Sequence, residues 1–333
     1  MNKKNLIIHA GHGKTGTSAI QSRLAIGQEK LKQLGIYYPI NHLDEKLIAN
    51  ACTGGATGGN LQINLSKNLG DFVNGLASGD DYEQANTLLF SNEVVWRKML
   101  ISEDFQDSLK YWNHKYDLKI ILVTRDIFDH LFSSYNQHLK NSFAIETFPQ
   151  FLKSIKYTSV HDKFSKLLLK LDQLEINYEL LNYTAHRRKI SQEIFNAIGA
   201  NVINSEDCKP PTSAVVNRSL SRSESQLIVA INRCKQKLNI DKKMTQAINR
   251  AIKIHADIKP SQAHFSPAEI ESIQKMNRGA ITIINDRLPE HHQLQLIPPS
   301  GYISETDGIT NEEEIKVQEI LIRAMLKQIN MTQ

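Results

Sequence analysis

The run from Leu6 to Gln21 constrains this chain more than any other. Leu6-Ile7-Ile8-His9-Ala10 is a short apolar stretch of the kind that forms a parallel strand buried on both faces. It gives way to Gly11-His12-Gly13-Lys14-Thr15-Gly16 and then to a helical pattern carrying Ile20 and Leu24. Strand, glycine loop and helix N-terminus together make a phosphate cradle. The glycines let the backbone approach an anion, and the first amides of the helix and its dipole favour negative charge. Lys14 adds a cation, and Thr15, Thr17 and Ser18 add hydroxyls. The plainer alternative is a glycine loop that only turns a strand into a helix.

Spacing discriminates among phosphate loops. The ATP and GTP version, G-x-x-x-x-G-K-[ST], has lysine directly after its last glycine. Gly11 and Gly16 have that separation, but Thr17 stands where the lysine belongs, and the lysine lies two residues before Gly16. The register Lys14-Thr15-Gly16-Thr17-Ser18 resembles the 5′-phosphosulfate loop of sulfotransferases. The stretch from His9 to Gln21 is similar to bacterial, carbohydrate-type members of that superfamily, which share features with heparan-sulfate enzymes. The resemblance implies that Gly13, Lys14, Thr15, Gly16, Thr17 and Ser18 hold the 5′-phosphate of 3′-phosphoadenosine-5′-phosphosulfate (PAPS), with 3′,5′-ADP as the product.

Two further segments extend the resemblance. Leu118 to Thr124 reads as a fully apolar strand followed at once by Arg125, with Ser133 eight residues on in the next helix. Sulfotransferases place an arginine and a serine at this separation on the nucleotide 3′-phosphate, and an arginine at a strand end offers a planar fork to phosphate oxygens. Ile176 to Leu181 reads as another strand, followed by Tyr183 and an amphipathic helix that closes at Gly199. Tyr183 takes the place of the family's Y-E-D-L tyrosine, but Thr184-Ala185-His186 replaces the rest of that block. Tyr183 reads either as an adenine contact or as an ordinary half-buried aromatic. Val216 to Ser221 resembles a block found late in bacterial sulfotransferases and adds Arg218 and Ser219 as weaker nucleotide ligands; a helix cap at Ser219 or Ser221 explains the same residues.

Alternation of apolar runs (Leu6–Ala10, Ile36–Pro39, Thr87–Phe90, Leu118–Thr124, Ile176–Leu181) with helical segments predicts an α/β chain. The expected architecture is a P-loop-type three-layer fold, a central parallel sheet flanked by helices, with a mainly helical C-terminal part. At 333 residues, one domain over 1–300 is expected, with a nucleotide-binding core at about 1–205 and a helical portion at about 215–297. Residues 301–333 read as a linker and an amphipathic helix bearing Val317, Ile320, Leu321, Ala324 and Met325. That stripe suits packing on its own domain, and also a homo-oligomer contact or a peripheral membrane contact. The glycine-rich run Thr53 to Gly59 reads as the edge of an active-site flap or as a plain surface loop.

A net charge of +5 suits anionic ligands, yet no dense basic stripe interleaved with aromatics argues for nucleic acid. Cys52, Cys208 and Cys234 form no C-x-x-C pair, which fits a reducing compartment and predicts neither a disulfide framework nor a zinc site. The apolar run after Lys4 is too short for a signal-peptide core, and no stretch approaches the ~20 apolar residues of a membrane span. A cytoplasmic location is the expectation. Glu290-His291-His292 lacks i, i+4 metal-ligand spacing and reads as a solvated loop, and no metal is expected.

The resemblance implies transfer of a sulfuryl group from PAPS to a hydroxyl of a carbohydrate or glycolipid. Lys14 would stabilise the leaving phosphate oxygen. Glu93, just past the Thr87–Phe90 strand, takes the position in which carbohydrate-type enzymes carry a glutamate base; a glutamate in the first turn of a helix is the alternative. His9 and His12 are back-up bases. A P-loop nucleotide or small-molecule kinase and a non-catalytic nucleotide-binding module remain the competing classes.

Overall fold

The computed structural model describes residues 3–40, 45–52, 59–60, 80–140, 146–154, 160–210, 220–238 and 265–298, with residues 318 and 322 singly. The chain divides into two compact units. The first takes in Met1–Asp126, Ser159–Ser213 and Asn277–Leu294; the second takes in Ile127–Thr158, Ala214–Met276 and Gln295–Gln333.

The first unit is α/β. Its strands are β1 (Asn5–Gly11), β2 (Ile36–Tyr37), β3 (Thr87–Ser91), β4 (Asp117–Thr124) and β5 (Asn177–Asn182). They pair in parallel in the order β2-β3-β1-β4-β5. These are the five runs marked by the sequence, with ends moved by a residue or two. The helices of the chain, in order, are α1 (Thr17–Ile26), α2 (Gln28–Gln33), α3 (Glu45–Cys52), α4 (Asp80–Gln84), α5 (Val95–Ile101) and α6 (Glu103–Lys115). They continue with α7 (Ile127–Lys140), α8 (Phe148–Ser154), α9 (Val160–Gln173), α10 (Ile190–Ala197), α11 (Arg222–Leu238) and α12 (Pro267–Asn285).

Strand alternation sorts the side chains onto two faces. Ile7, Leu89, Ile121, Val123 and Leu181 share a core with Ile20 and Leu24 of α1 and with Ile194 and Phe195 of α10. On the other face α5, α6 and α9 pack over β1, β4 and β5, and Trp96, Trp112 and Phe164 are fully buried. Coverage on both faces is why these strands read as continuous apolar runs rather than as alternating ones. Emptying such a position, as in Leu24→Ala, costs about 2–5 kcal/mol. Helix α10 ends as the sequence predicts, with Gly199 at φ +81° just past the C-cap Ile198.

The second unit is helical in its described residues. Phe128, Phe132 and Tyr135 of α7, Phe151 of α8, Ile228 of α11 and Phe265 form one buried cluster, with Phe128 and Phe265 edge to face at 5.0 Å. Two reciprocal caps start its later helices. Ser221 and Glu224 exchange side-chain-to-backbone bonds of 2.7 and 3.2 Å, and Ser266 and Glu269 do the same at 2.8 and 3.4 Å. Ser221 is therefore the cap of α11. No described helix is long and apolar enough to cross a membrane. The Val317 to Met325 stripe lies outside the described residues apart from residues 318 and 322.

Candidate functional site

Sheet order and register bring the predicted residues of the first unit to one place. The chain leaves β1 for β2 and then β3 on one side of it and later crosses to β4 on the other, so the loop after β1 opens at a topological switch point. His9 of β1 is level with Ser91 of β3, Gly11 with Val123 of β4, and Thr124 with Asn182 of β5. Glu93, Lys14, Arg125 and Tyr183 each follow the carboxyl end of a different strand within a few residues. They come from widely separated positions and share one edge.

Lys14 and Gly16 adopt left-handed conformations at φ +73° and +76°. Gly16 is also the N-cap of α1, and a Cβ there would come within 2.9 Å of the Tyr183 ring. Three successive carbonyls are engaged on the protein side. Thr15 Oγ1 donates to His12 O (2.9 Å), His12 Nδ1 to Gly13 O (3.1 Å), and Arg125 Nη1 to Lys14 O (2.6 Å). A loop whose carbonyls are held inward leaves amide dipoles to face a ligand, which is the polarity an anion needs. The Thr15 hydroxyl proton goes to His12 O, so in the Thr15–Thr17 contact (3.1 Å) the Thr17 hydroxyl is the donor. Both threonines are buried, and their hydroxyls brace the loop. Ser18 and Gly13 are half-buried.

Arg125 lies at the centre of the edge and is only 7% exposed. Its guanidinium stacks on Tyr183 at 4.8 Å from the ring centre. Its peptide is held at both ends by imidazoles: Arg125 N donates to His12 Nε2 (3.1 Å), and His161 Nε2 donates to Arg125 O (2.6 Å). A carbonyl can only accept, so His12 carries its proton on Nδ1, facing Gly13 O, and offers a lone pair at Nε2, where the Thr124 hydroxyl also lies at 3.1 Å. Burial, with the nearby His161 and Arg125 charges acting in the same direction, keeps His12 well below the ordinary histidine pKa. Burial lowers His161 to about 4. The two rings meet edge to face at 5.2 Å. Next to them Asn182 bridges Asp126, His292 O and the Thr184 amide, and the Thr184 hydroxyl accepts from the Asp126 amide.

Glu93 comes against the loop at Gly13, next to Lys14 in sequence. A Cβ on Gly13 would lie 3.1 Å from Glu93 Oε1. Partial burial, and secondarily the Arg125 charge, hold the Lys14 ammonium below the usual lysine pKa, while the Glu93 carboxylate pulls the other way. Glu93 precedes the N-cap of α5, Val94, and so lies ahead of the helix rather than in its first turn.

The back-up bases take structural places. His9 is fully buried, with Nδ1 2.8 Å from Ser91 Oγ and a pKa lowered to about 4 by burial, and His12 is committed to Arg125 as described. The Glu290–His292 segment is a short 3-10 turn rather than an open loop. His292 meets His186 edge to face at 4.1 Å, and its carbonyl accepts from Asn182. Among the described residues no three histidine, cysteine, aspartate or glutamate side chains gather as a metal site. Ser133 is half-buried on α7 in the second unit. Arg218, Ser219 and the Thr53 to Gly58 part of the glycine run lie outside the described residues.

Sequence reasoning passed over His161, Asn182 and Asn60. Asn60 is buried, and its side chain donates to Leu89 O (3.0 Å) and accepts from Ser91 N (2.8 Å), serving the part of β3 that runs beyond its pairing with β2, just before Glu93. None of the three lies in a phosphate-loop pattern; only the strand-end position of Asn182 is a visible signal.

No family model matches the chain, and no curated protein matches it. Among solved structures it is similar to a sulfotransferase from Alicyclobacillus acidocaldarius, at 14% identity over 74% of this chain and 100% of that one. The TM-score is 0.36, too distant a likeness to assign a role to any residue.

Proposed function

We propose that this chain is a PAPS-dependent sulfotransferase acting on a hydroxyl of a carbohydrate or glycolipid. The observation that supports it most is that Lys14 and Glu93 come to the same loop, with Glu93 Oε1 close to Gly13 and its charge acting on the Lys14 ammonium, while the His12, Gly13 and Lys14 carbonyls are all engaged by the protein. The Lys14-Thr15-Gly16-Thr17-Ser18 register, so different from the ATP loop, adds the nucleotide class. PAPS would supply the activated sulfuryl group.

The chain's own residues divide the work between positioning and electrostatics. The loop amides and the start of α1 bind the 5′-phosphate. Lys14 stabilises charge that grows on the departing phosphate oxygen, and the nearby Glu93 charge favours its protonated form against the effect of burial. Glu93 orients the acceptor hydroxyl and takes its proton. Arg125 fixes Lys14 through its carbonyl and adds positive potential for the nucleotide phosphates. Tyr183 packs the loop from the other side and offers a ring to the base.

Thermal unfolding with 3′,5′-ADP against ATP and Mg²⁺ tests the reading. A ligand at a hundredfold excess over its dissociation constant stabilises by about 2.7 kcal/mol. Stabilisation by 3′,5′-ADP alone is expected. Stabilisation by ATP and Mg²⁺ alone would make the chain a kinase-like protein, and 3′,5′-ADP binding without label transfer from PAPS to any glycan or glycolipid would leave a binding module.

A further inference from the structure

Two histidines that the chemistry does not use enclose the one arginine on which the loop depends. Three other peptides at the strand ends are anchored by neighbouring backbone: Asn92 N by His9 O (3.1 Å), His12 N by Val123 O (3.2 Å), Tyr183 N by Thr124 O (2.8 Å). Arg125 departs from this pattern, because its N–H and its C=O are both given to imidazole nitrogens, one accepting and one donating. The same His12 ring uses its other nitrogen to hold the Gly13 carbonyl, and the same arginine uses Nη1 to hold the Lys14 carbonyl. A single hydrogen-bonded line thus runs from His161 through the Arg125 peptide and His12 to the loop, and it works in one proton arrangement only. His12 must be neutral with its proton on Nδ1, and His161 must carry a proton on Nε2.

We propose that His12 and His161 are positioning residues of the anion loop, a neutral imidazole pair that sets the Arg125 peptide and so keeps the Gly13 and Lys14 carbonyls out of the ligand space. Neither touches the ligand. Their function is to decide which end of each loop peptide faces it. Burial suits them to this, since both rings are fully enclosed and rest against one another and, for His12, against Phe164 at 5.5 Å. The inference rests on the anion-loop reading but not on the identity of the nucleotide.

The experiment pairs His161→Gln with His161→Asn and measures affinity for sulfate and for 3′,5′-ADP by calorimetry, alongside melting temperature. The glutamine amide nitrogen reaches about as far as Nε2 and can donate to the Arg125 carbonyl; the asparagine amide is too short. Expected is a loss of at least tenfold in affinity for both ligands in His161→Asn, with His161→Gln within about threefold of wild type. His12→Gln, which keeps an acceptor near Nε2 but drops the bond to Gly13 O, should fall between them. A lowered melting temperature in His161→Asn with affinity unchanged overturns the proposal, because the ring would then be packing alone. Equal affinity losses in the asparagine and glutamine variants overturn it as well. Sulfate binding by wild type without 3′,5′-ADP binding would remove the nucleotide reading while the sulfate comparison still decides the role of the pair, and binding of neither removes both.

Discussion

The two edges of the same sheet are built on opposite principles. At the carboxyl edge Thr124, Arg125, Asp126 and Asn182 are all buried, and the side-chain bonds they make run largely to loop backbone or to one another. At the amino edge the polar groups stay near water. Lys119, half-exposed, meets Glu179 at 2.6 Å and the Ala197 carbonyl at 3.0 Å, and a cavity of about 310 Å³ opens between residues such as Asn5, Thr87, Asp117 and Lys119. A buried polar group left without a partner costs about 1–3 kcal/mol, whereas an exposed ion pair contributes roughly 0–1. Polar side chains are therefore cheap at the amino edge and tolerable at the carboxyl edge only because each is tied down. The carboxyl edge is the one at which the proposed function puts the nucleotide.

The largest expected effect breaks the comparison by chemistry. Glu93→Gln should lower turnover by roughly 10²–10⁴-fold, the usual contribution of a positioned base, while leaving 3′,5′-ADP affinity near wild type. Lys119→Met at the opposite edge should leave turnover within about twofold. Label transfer from PAPS under saturating acceptor reads both. A Glu93→Gln enzyme within about threefold of wild type would place the base elsewhere, and an equal loss in Lys119→Met would erase the distinction between the edges.

Acid should act next, and through the carboxyl side. His9 and His161 are held near 4 by burial, against an unfolded value of about 6.5, so the unfolded chain binds protons that the folded chain refuses. The stability these groups contribute is fully present above about pH 6.5 and is lost as pH falls towards 4, on the order of 2 kcal/mol for each by pH 5. His12, shifted in the same direction, steepens the loss. Melting temperature should fall between pH 7 and pH 5, and His161→Gln should flatten the fall. A flat profile in wild type would mean that these rings are not sealed from protons.

The smallest effect sharpens the comparison through two glycines. Gly16 and Gly199 both have positive φ, but only Gly16 has a ring against it, since a Cβ on Gly199 would meet nothing within 4 Å. Gly199→Ala should cost about 1–2 kcal/mol, the left-handed penalty alone. Gly16→Ala should cost more, up to about 3 kcal/mol, and should weaken sulfate binding as well. Equal costs by chemical denaturation would show that Tyr183 yields to the added methyl and does not set the loop.

All five strands were legible because a strand buried on both faces must be a continuous apolar run, and that pattern is local. The C-terminal glycine of α10 and the serine cap of α11 were legible for the same reason, each being the demand of one peptide on its neighbours. That Lys14 and Glu93 share an edge was legible, since strand ends in a parallel sheet lie together, but the approach of Glu93 to Gly13 depends on strand order, which puts β3 beside β1. What only the tertiary structure decided was the use of the histidines. His9 and His12 flank a phosphate loop and read as bases, while His161 lies unmarked in an amphipathic helix. Whether an imidazole is a base or a brace depends on what encloses it, and apart from the adjacent Gly13 carbonyl the groups that claim these three rings are the Ser91 hydroxyl of β3, the Thr124 hydroxyl of β4 and the Arg125 peptide after β4, far along the chain. Sequence determines which residues can sit at the edge of this sheet; burial and hydrogen-bond partners, set by packing at long range, determine which of them remain available for chemistry.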